Sequence, residues 1–151
     1  MRFTFASLSL ALLLGCTASG DAPATDLSNT DDADDTAGDD LDSPDIQHSP
    51  IEGVQVIGED LTLSARVSDR TGVLLVKLYF RRQTAQSFSA QGMILADPET
   101  GLYQGLIPGD EMGSAGMHYY IEAVDTKGNV GTLPEGAPAD YYKFDLIEAE
   151  Q

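Results

Sequence analysis

The chain has 151 residues, with 25 acidic side chains against 8 basic ones and a formal net charge of −17. That balance argues against nucleic-acid phosphate and anionic lipid as electrostatic partners, because no basic stripe is available to displace counterions. With one cysteine, neither an intrachain disulfide nor a cysteine-rich metal site is possible.

The N-terminus opens on Met1-Arg2, a short basic start, followed by an apolar run over residues 3–14. The run has the length of a signal peptide and is too short to span a bilayer as a helix. It ends in Leu13-Leu14-Gly15-Cys16, which resembles the lipobox of bacterial lipoproteins at every position. The resemblance implies cleavage before Cys16, a diacylglycerol on its sulfur and acylation of the new N-terminus. Two or more chains hold a protein to a membrane where one binds only marginally. Residues 1–15 are therefore read as a signal peptide and Cys16 as the lipidation site. Thr17 follows the anchor in place of the Asp that retains some lipoproteins in the inner membrane, so the expected location is the outer membrane.

Residues 17–45 hold ten Asp and no Lys or Arg, with Leu27 and Leu41 as the only large aliphatic side chains. Such a segment cannot bury enough apolar surface to offset the entropy of ordering. Residues 16–45 thus read as the lipidated Cys and a disordered tether, spanning roughly 30 Å r.m.s. as a flexible coil. The run Asp31-Asp32-Ala33-Asp34-Asp35 lacks the Gly and the spaced bidentate Glu of a calcium loop, and is taken as solvated charge.

From residue 46 the pattern changes. Residues 46–57, broken by Pro50 and Gly53, read as an edge strand. Residues 61–68 alternate cleanly, with Leu61, Leu63, Ala65 and Val67 on one side. A turn at Asp69-Arg70-Thr71-Gly72 leads into a strand over 73–82, with Val76, Leu78 and Phe80 opposite Lys77, Tyr79 and Arg81. Strands over 88–96 and 102–107 flank the hairpin loop Asp97-Pro98-Glu99-Thr100-Gly101, where Gly101 suits the left-handed position. The strand over 117–124 places Met117, Tyr119, Ile121 and Ala123 on one face and His118, Tyr120, Glu122 and Val124 on the other. It runs into a turn in which Asp125 caps the backbone and Gly128 takes positive φ. A last strand covers 141–147.

Seven short strands with turn signals between them predict an all-β, antiparallel sandwich over residues 46–151. The pieces Asp69-x-x-Gly72-Val73, Val76-x-Leu78-Tyr79-Phe80-Arg81, Gly101-x-Tyr103, Ile107-Pro108, Tyr119-Tyr120-Ile121-x-Ala123-x-Asp125 and Gly128-Asn129 resemble, in order and spacing, a bacterial immunoglobulin-like or fibronectin type III-like domain. The resemblance implies that Tyr119 is the tyrosine of a corner motif, with its hydroxyl on nearby backbone.

The chain carries no nucleophile elbow, phosphate-cradling loop or zinc motif, so no catalytic residue and no cofactor is expected. The outer face of the third, sixth and seventh strands gathers Lys77, Tyr79, Arg81, His118, Tyr120, Tyr141 and Lys143. Tyr and Arg anchor many binding surfaces, and this set is the candidate binding face of a non-catalytic module. Its expected partner is a protein or glycan of the cell envelope. The other function considered is metal handling: copper through His48, His118, Met93, Met112 and Met117, or calcium at the loop end shared by Asp69 and Asp125. Met is an ordinary core filler and Asp an ordinary turn cap, so no metal ligand is assigned.

Overall fold

A computed structural model describes residues 40–150. The signal peptide, Cys16 and residues 17–39 lie outside the described residues. The domain is all-β. Its strands are β1 (Asp45–Gln47), β2 (Val54–Val56), β3 (Leu61–Ser68), β4 (Val73–Arg82), β5 (Ser89–Gly92), β6 (Ile94–Asp97), β7 (Leu102–Ile107), β8 (Met117–Asp125), β9 (Val130–Leu133) and β10 (Tyr142–Ile147). They form two sheets, one in the order β1-β3-β7-β6 and the other β2-β10-β8-β4-β5, with β9 also on β8. The β2–β10 pair is parallel; the other pairings are antiparallel.

The period-two pattern decides which side chains meet. Leu63, Ala65 and Val67 of β3 point inward while Thr62, Ser64 and Arg66 are exposed. Val76, Leu78 and Phe80 of β4, Ile107 of β7, Met117, Tyr119, Ile121 and Ala123 of β8, and Phe144 of β10 complete one core between the sheets. Both turn glycines expected to take positive φ do so, Gly101 at 63° and Gly128 at 92°. At Gly101 the reason is also steric: a Cβ there would lie 2.6 Å from the carbonyl oxygen of Val67.

The strand count is ten rather than seven, for two reasons. Two segments read as single strands each serve both sheets. Residues 46–57 begin on β3 as β1, are interrupted around Pro50 and Gly53, and resume on β10 as β2. Residues 88–96 leave β4 after β5 and join β7 as β6. Met93 is the crossing point, with its N–H donated to the Val76 carbonyl (2.8 Å) and its side chain in the core. The second reason is β9, which follows the Asp125 turn and pairs back onto residues 121–124. Four residues with one buried side are too few to show a period.

Packing starts earlier than residue 46. Asp40 and Pro44, within the segment read as tether, are buried. Asn129 Nδ2 donates to the Asp40 carbonyl (2.7 Å). The Pro44 carbonyl lies over Gly131, where a Cβ would sit 2.6 Å from its oxygen.

Tyr119 is fully buried, as expected, but its hydroxyl does not serve a local corner. It accepts the N–H of Ile51 (3.1 Å), 68 residues away, and lies 2.9 Å from His48 Nε2. The Ser64 carbonyl, 2.7 Å from His48 Nδ1, can only accept, so Nδ1 carries the proton. Nε2 then accepts the Tyr119 hydroxyl. The motif pins the link between β1 and β2 to β8.

Candidate functional site

The predicted face exists as a unit, because β10, β8 and β4 are neighbours. Arg81, His118 and Lys143 stand opposite one another in one row across the three strands. Tyr79 and Tyr120 form the next row, and Lys77 and Glu122 the one after.

These side chains are bound mainly to one another. The Tyr79 and Tyr120 rings stack with centroids 4.5 Å apart and planes 4° from parallel. Phe88 packs edge-on against Tyr120 at 5.0 Å. The Arg81 guanidinium lies 4.4 Å from the Phe88 ring and 5.2 Å from the Tyr141 ring. Tyr141 stacks on His118 at 4.4 Å, and Lys143 Nζ sits 5.3 Å from the same ring. The Tyr79 hydroxyl donates to Glu122 Oε1 (3.1 Å), and Arg81 Nη1 donates to the Gln86 carbonyl (3.1 Å). Cation–ring contacts of this kind are worth about 0.5–1 kcal/mol each when exposed and more when desolvated.

The ladder corrects one expectation. Tyr120 was expected to be exposed as the outward neighbour of Tyr119, yet it is only 6 % exposed, and His118 is buried too. Period two sets the side of the sheet and not the exposure. Here the outer side is roofed by Phe88 and Tyr141, which arrive from outside β8. Lys143 remains exposed, and Lys77, Tyr79, Arg81 and Tyr141 are half-buried. Phe88 is the member that sequence reasoning missed; its only signal is an aromatic at the first position of the strand read over 88–96.

Burial sets the protonation here. Desolvation, with the Arg81 and Lys143 charges, lowers the His118 pKa and favours the neutral ring. Burial pushes the Tyr119 and Tyr120 hydroxyls up to about 12 from 10.0. Between those two values the unfolded chain gives up protons that the folded chain keeps. Stability is therefore undiminished below pH 10 and falls as pH rises toward 12. A spectroscopic tyrosine titration is expected to show these two hydroxyls ionising together with loss of structure. Independent, reversible ionisation of all six tyrosines near pH 10 in a folded chain would contradict it.

Tyr120→Ala removes the centre of the ladder and is expected to cost about 3 kcal/mol, in the range of large buried aromatic truncations. A denaturant midpoint equal to that of the parent would show that the stack contributes nothing.

The proposed copper ligands are not brought together. His48 lies beside Tyr119 on the inner side of β8 and is engaged through both ring nitrogens, while His118 is on the outer side. Met93, Met112 and Met117 belong to the core.

The turns opened by Asp69 and Asp125 do share one end of the domain. Asp69 Oδ1 accepts the N–H groups of Thr71 (2.8 Å) and Gly72 (3.1 Å). Asp125 is fully buried. Its Oδ1 accepts the N–H groups of Lys127 and Asn129 (both 2.8 Å), and its Oδ2 accepts Asn129 Nδ2 (2.7 Å). Desolvation raises its pKa, but these hydrogen bonds outweigh it and hold the carboxyl below the usual range. Thr126 ties the turns by donating its N–H to the Gly72 carbonyl and its hydroxyl to the Thr71 carbonyl (both 2.9 Å). Asp40 completes the group: one carboxylate oxygen each from Asp40, Asp69 and Asp125 lie within 4.8 Å of one another. Its participation was hidden in an Asp-rich run where no single Asp stands out.

No protein-family model matches the chain, and a search of curated proteins finds no match.

Proposed function

We propose that this is a lipid-anchored protein of the bacterial cell envelope whose immunoglobulin-like or fibronectin type III-like domain is a non-catalytic binding or structural module. Cys16 is the anchor, the outer membrane the expected location, and a protein or glycan of the envelope the partner. The observation that supports binding is the ladder on β4, β8 and β10. Its cations and rings are held in place by one another, so little side-chain entropy is left to lose on contact. Its rim, Lys77, Tyr79, Tyr141 and Lys143, stays accessible on an otherwise acidic chain.

Two measurements test this reading. Cys16→Ala should leave the protein unprocessed or soluble and absent from the detergent phase; unchanged membrane partition of that variant would refute lipidation. For the binding role, the full-length protein serves as bait in an envelope extract, beside a Lys143→Glu variant. Lys143 is exposed at the rim, so melting should change little while capture of envelope components is lost. Equal capture by the folded variant would move the binding surface elsewhere.

A further inference from the structure

The loop end that joins Asp40, Asp69 and Asp125 carries an inference independent of the sheet-face reading. Asp69 and Asp125 are accounted for as turn caps by the hydrogen bonds they accept. Asp40 is not. Its side chain is 1 % exposed, and its Oδ1 receives the Asp42 N–H (3.2 Å) and the Arg70 guanidinium (3.4 Å). Its Oδ2 is buried and has no hydrogen-bond partner among the described residues. A buried carboxylate oxygen without a donor is costly, and two further carboxylates beside it raise the cost. Arg70 offsets little of this, because its side chain is 71 % exposed and its charge is screened by solvent. Three carboxylates against one guanidinium leave the charge that a dication would neutralise.

We propose that Asp40, Asp69 and Asp125 form a Ca²⁺ site that clasps the end of the acidic segment onto the domain. The donors are all hard carboxylate oxygens, with no Cys or His in the group, which selects against the softer transition metals. They come from three separate segments: the chain before β1, the turn after β3 and the last residue of β8. Ca²⁺ tolerates such a set, taking roughly six to eight oxygens in flexible geometry with water completing the shell, whereas Mg²⁺ demands a near-ideal octahedron and dehydrates reluctantly. Because Asp40 precedes Pro44 and β1, the ion would fasten the segment leading to the membrane anchor to the loops after β3 and β8.

The test uses the full-length protein in detergent, stripped with chelator and then titrated with CaCl₂ or MgCl₂ by calorimetry and thermal melting. Ca²⁺ should bind saturably at one site and raise Tm, with Mg²⁺ much weaker. Asp40→Asn keeps the shape and removes the charge, and should weaken Ca²⁺ binding about tenfold or more while leaving the melting of the stripped protein unchanged or raised. Arg70→Ala removes the competing cation and should tighten Ca²⁺ binding. Replacing Asp31, Asp32, Asp34 and Asp35 together by Asn should leave the saturable site intact. The proposal is overturned if Ca²⁺ does not shift Tm, if Asp40→Asn binds as the parent does, or if binding follows the Asp31–Asp35 run instead. It is equally overturned if mild acid, and not Ca²⁺, stabilises the stripped protein, since the three carboxylates would then share a proton.

Discussion

Tyr119→Ala is expected to be the most damaging single substitution in the domain. The side chain is fully buried, with its ring against Tyr142 at 5.3 Å and Phe144 at 5.9 Å. Truncating a large buried aromatic costs about 3–5 kcal/mol, a large share of the roughly 5–15 kcal/mol that holds a small domain together. The hydroxyl adds a second loss, because the Ile51 N–H and His48 Nε2 both depend on it. Tyr119→Phe isolates that part and should cost about 1–3 kcal/mol, since it leaves a donor and an acceptor unmatched. His48→Ala should recover part of the same loss, and the two changes together should cost less than their sum. Denaturant melts of the three variants check this. Full additivity would mean that the imidazole and the phenol do not act through one hydrogen bond.

Removing residues 40–44 should lower stability by about 2 kcal/mol, the scale of one buried hydrogen bond with its packing. The comparison is between chains starting at residue 40 and at residue 45. The sequence predicts no difference, since it reads everything up to residue 45 as tether. The structure predicts a loss, because Asp40 and Pro44 are buried and the Asp40 carbonyl accepts Asn129 Nδ2. Gly131→Ala tests the same contact from the other side. The added methyl would lie 2.6 Å from the Pro44 carbonyl oxygen, so the strap must lift. In the longer chain the substitution should cost nearly as much as the truncation, and in the shorter chain almost nothing. Equal melting of the two parent chains would return residues 40–44 to the tether.

The strands and their facing were legible in the sequence wherever a segment is half-buried. Residues 61–68, 73–82 and 117–124 alternate, and the structure buries Leu63, Ala65 and Val67, Val76, Leu78 and Phe80, and Met117, Tyr119, Ile121 and Ala123. The turns were legible for a chemical reason: Asp125 and Gly128 can do locally, by a side-chain hydrogen bond and a positive φ, what the turn requires. These outcomes are decided within a few residues, so a few residues suffice to read them.

What only the tertiary structure decided depends on groups distant in the chain. Nothing near residue 93 says that the strand changes sheets there; the exchange follows from which neighbour offers free backbone groups, β4 before Met93 and β7 after it. Tyr120 and His118 face outward as their period demands, and it is Phe88 and Tyr141 that bury them. Tyr119 was recognisable as a core tyrosine, but its hydroxyl partners lie 68 and 71 residues away. Asp40 is chemically indistinguishable from the other Asp residues of its segment until the Asp69 and Asp125 turns are placed beside it. Local backbone preference and side-chain period are properties of a segment, whereas burial and the gathering of charges are properties of the surfaces that segments make together.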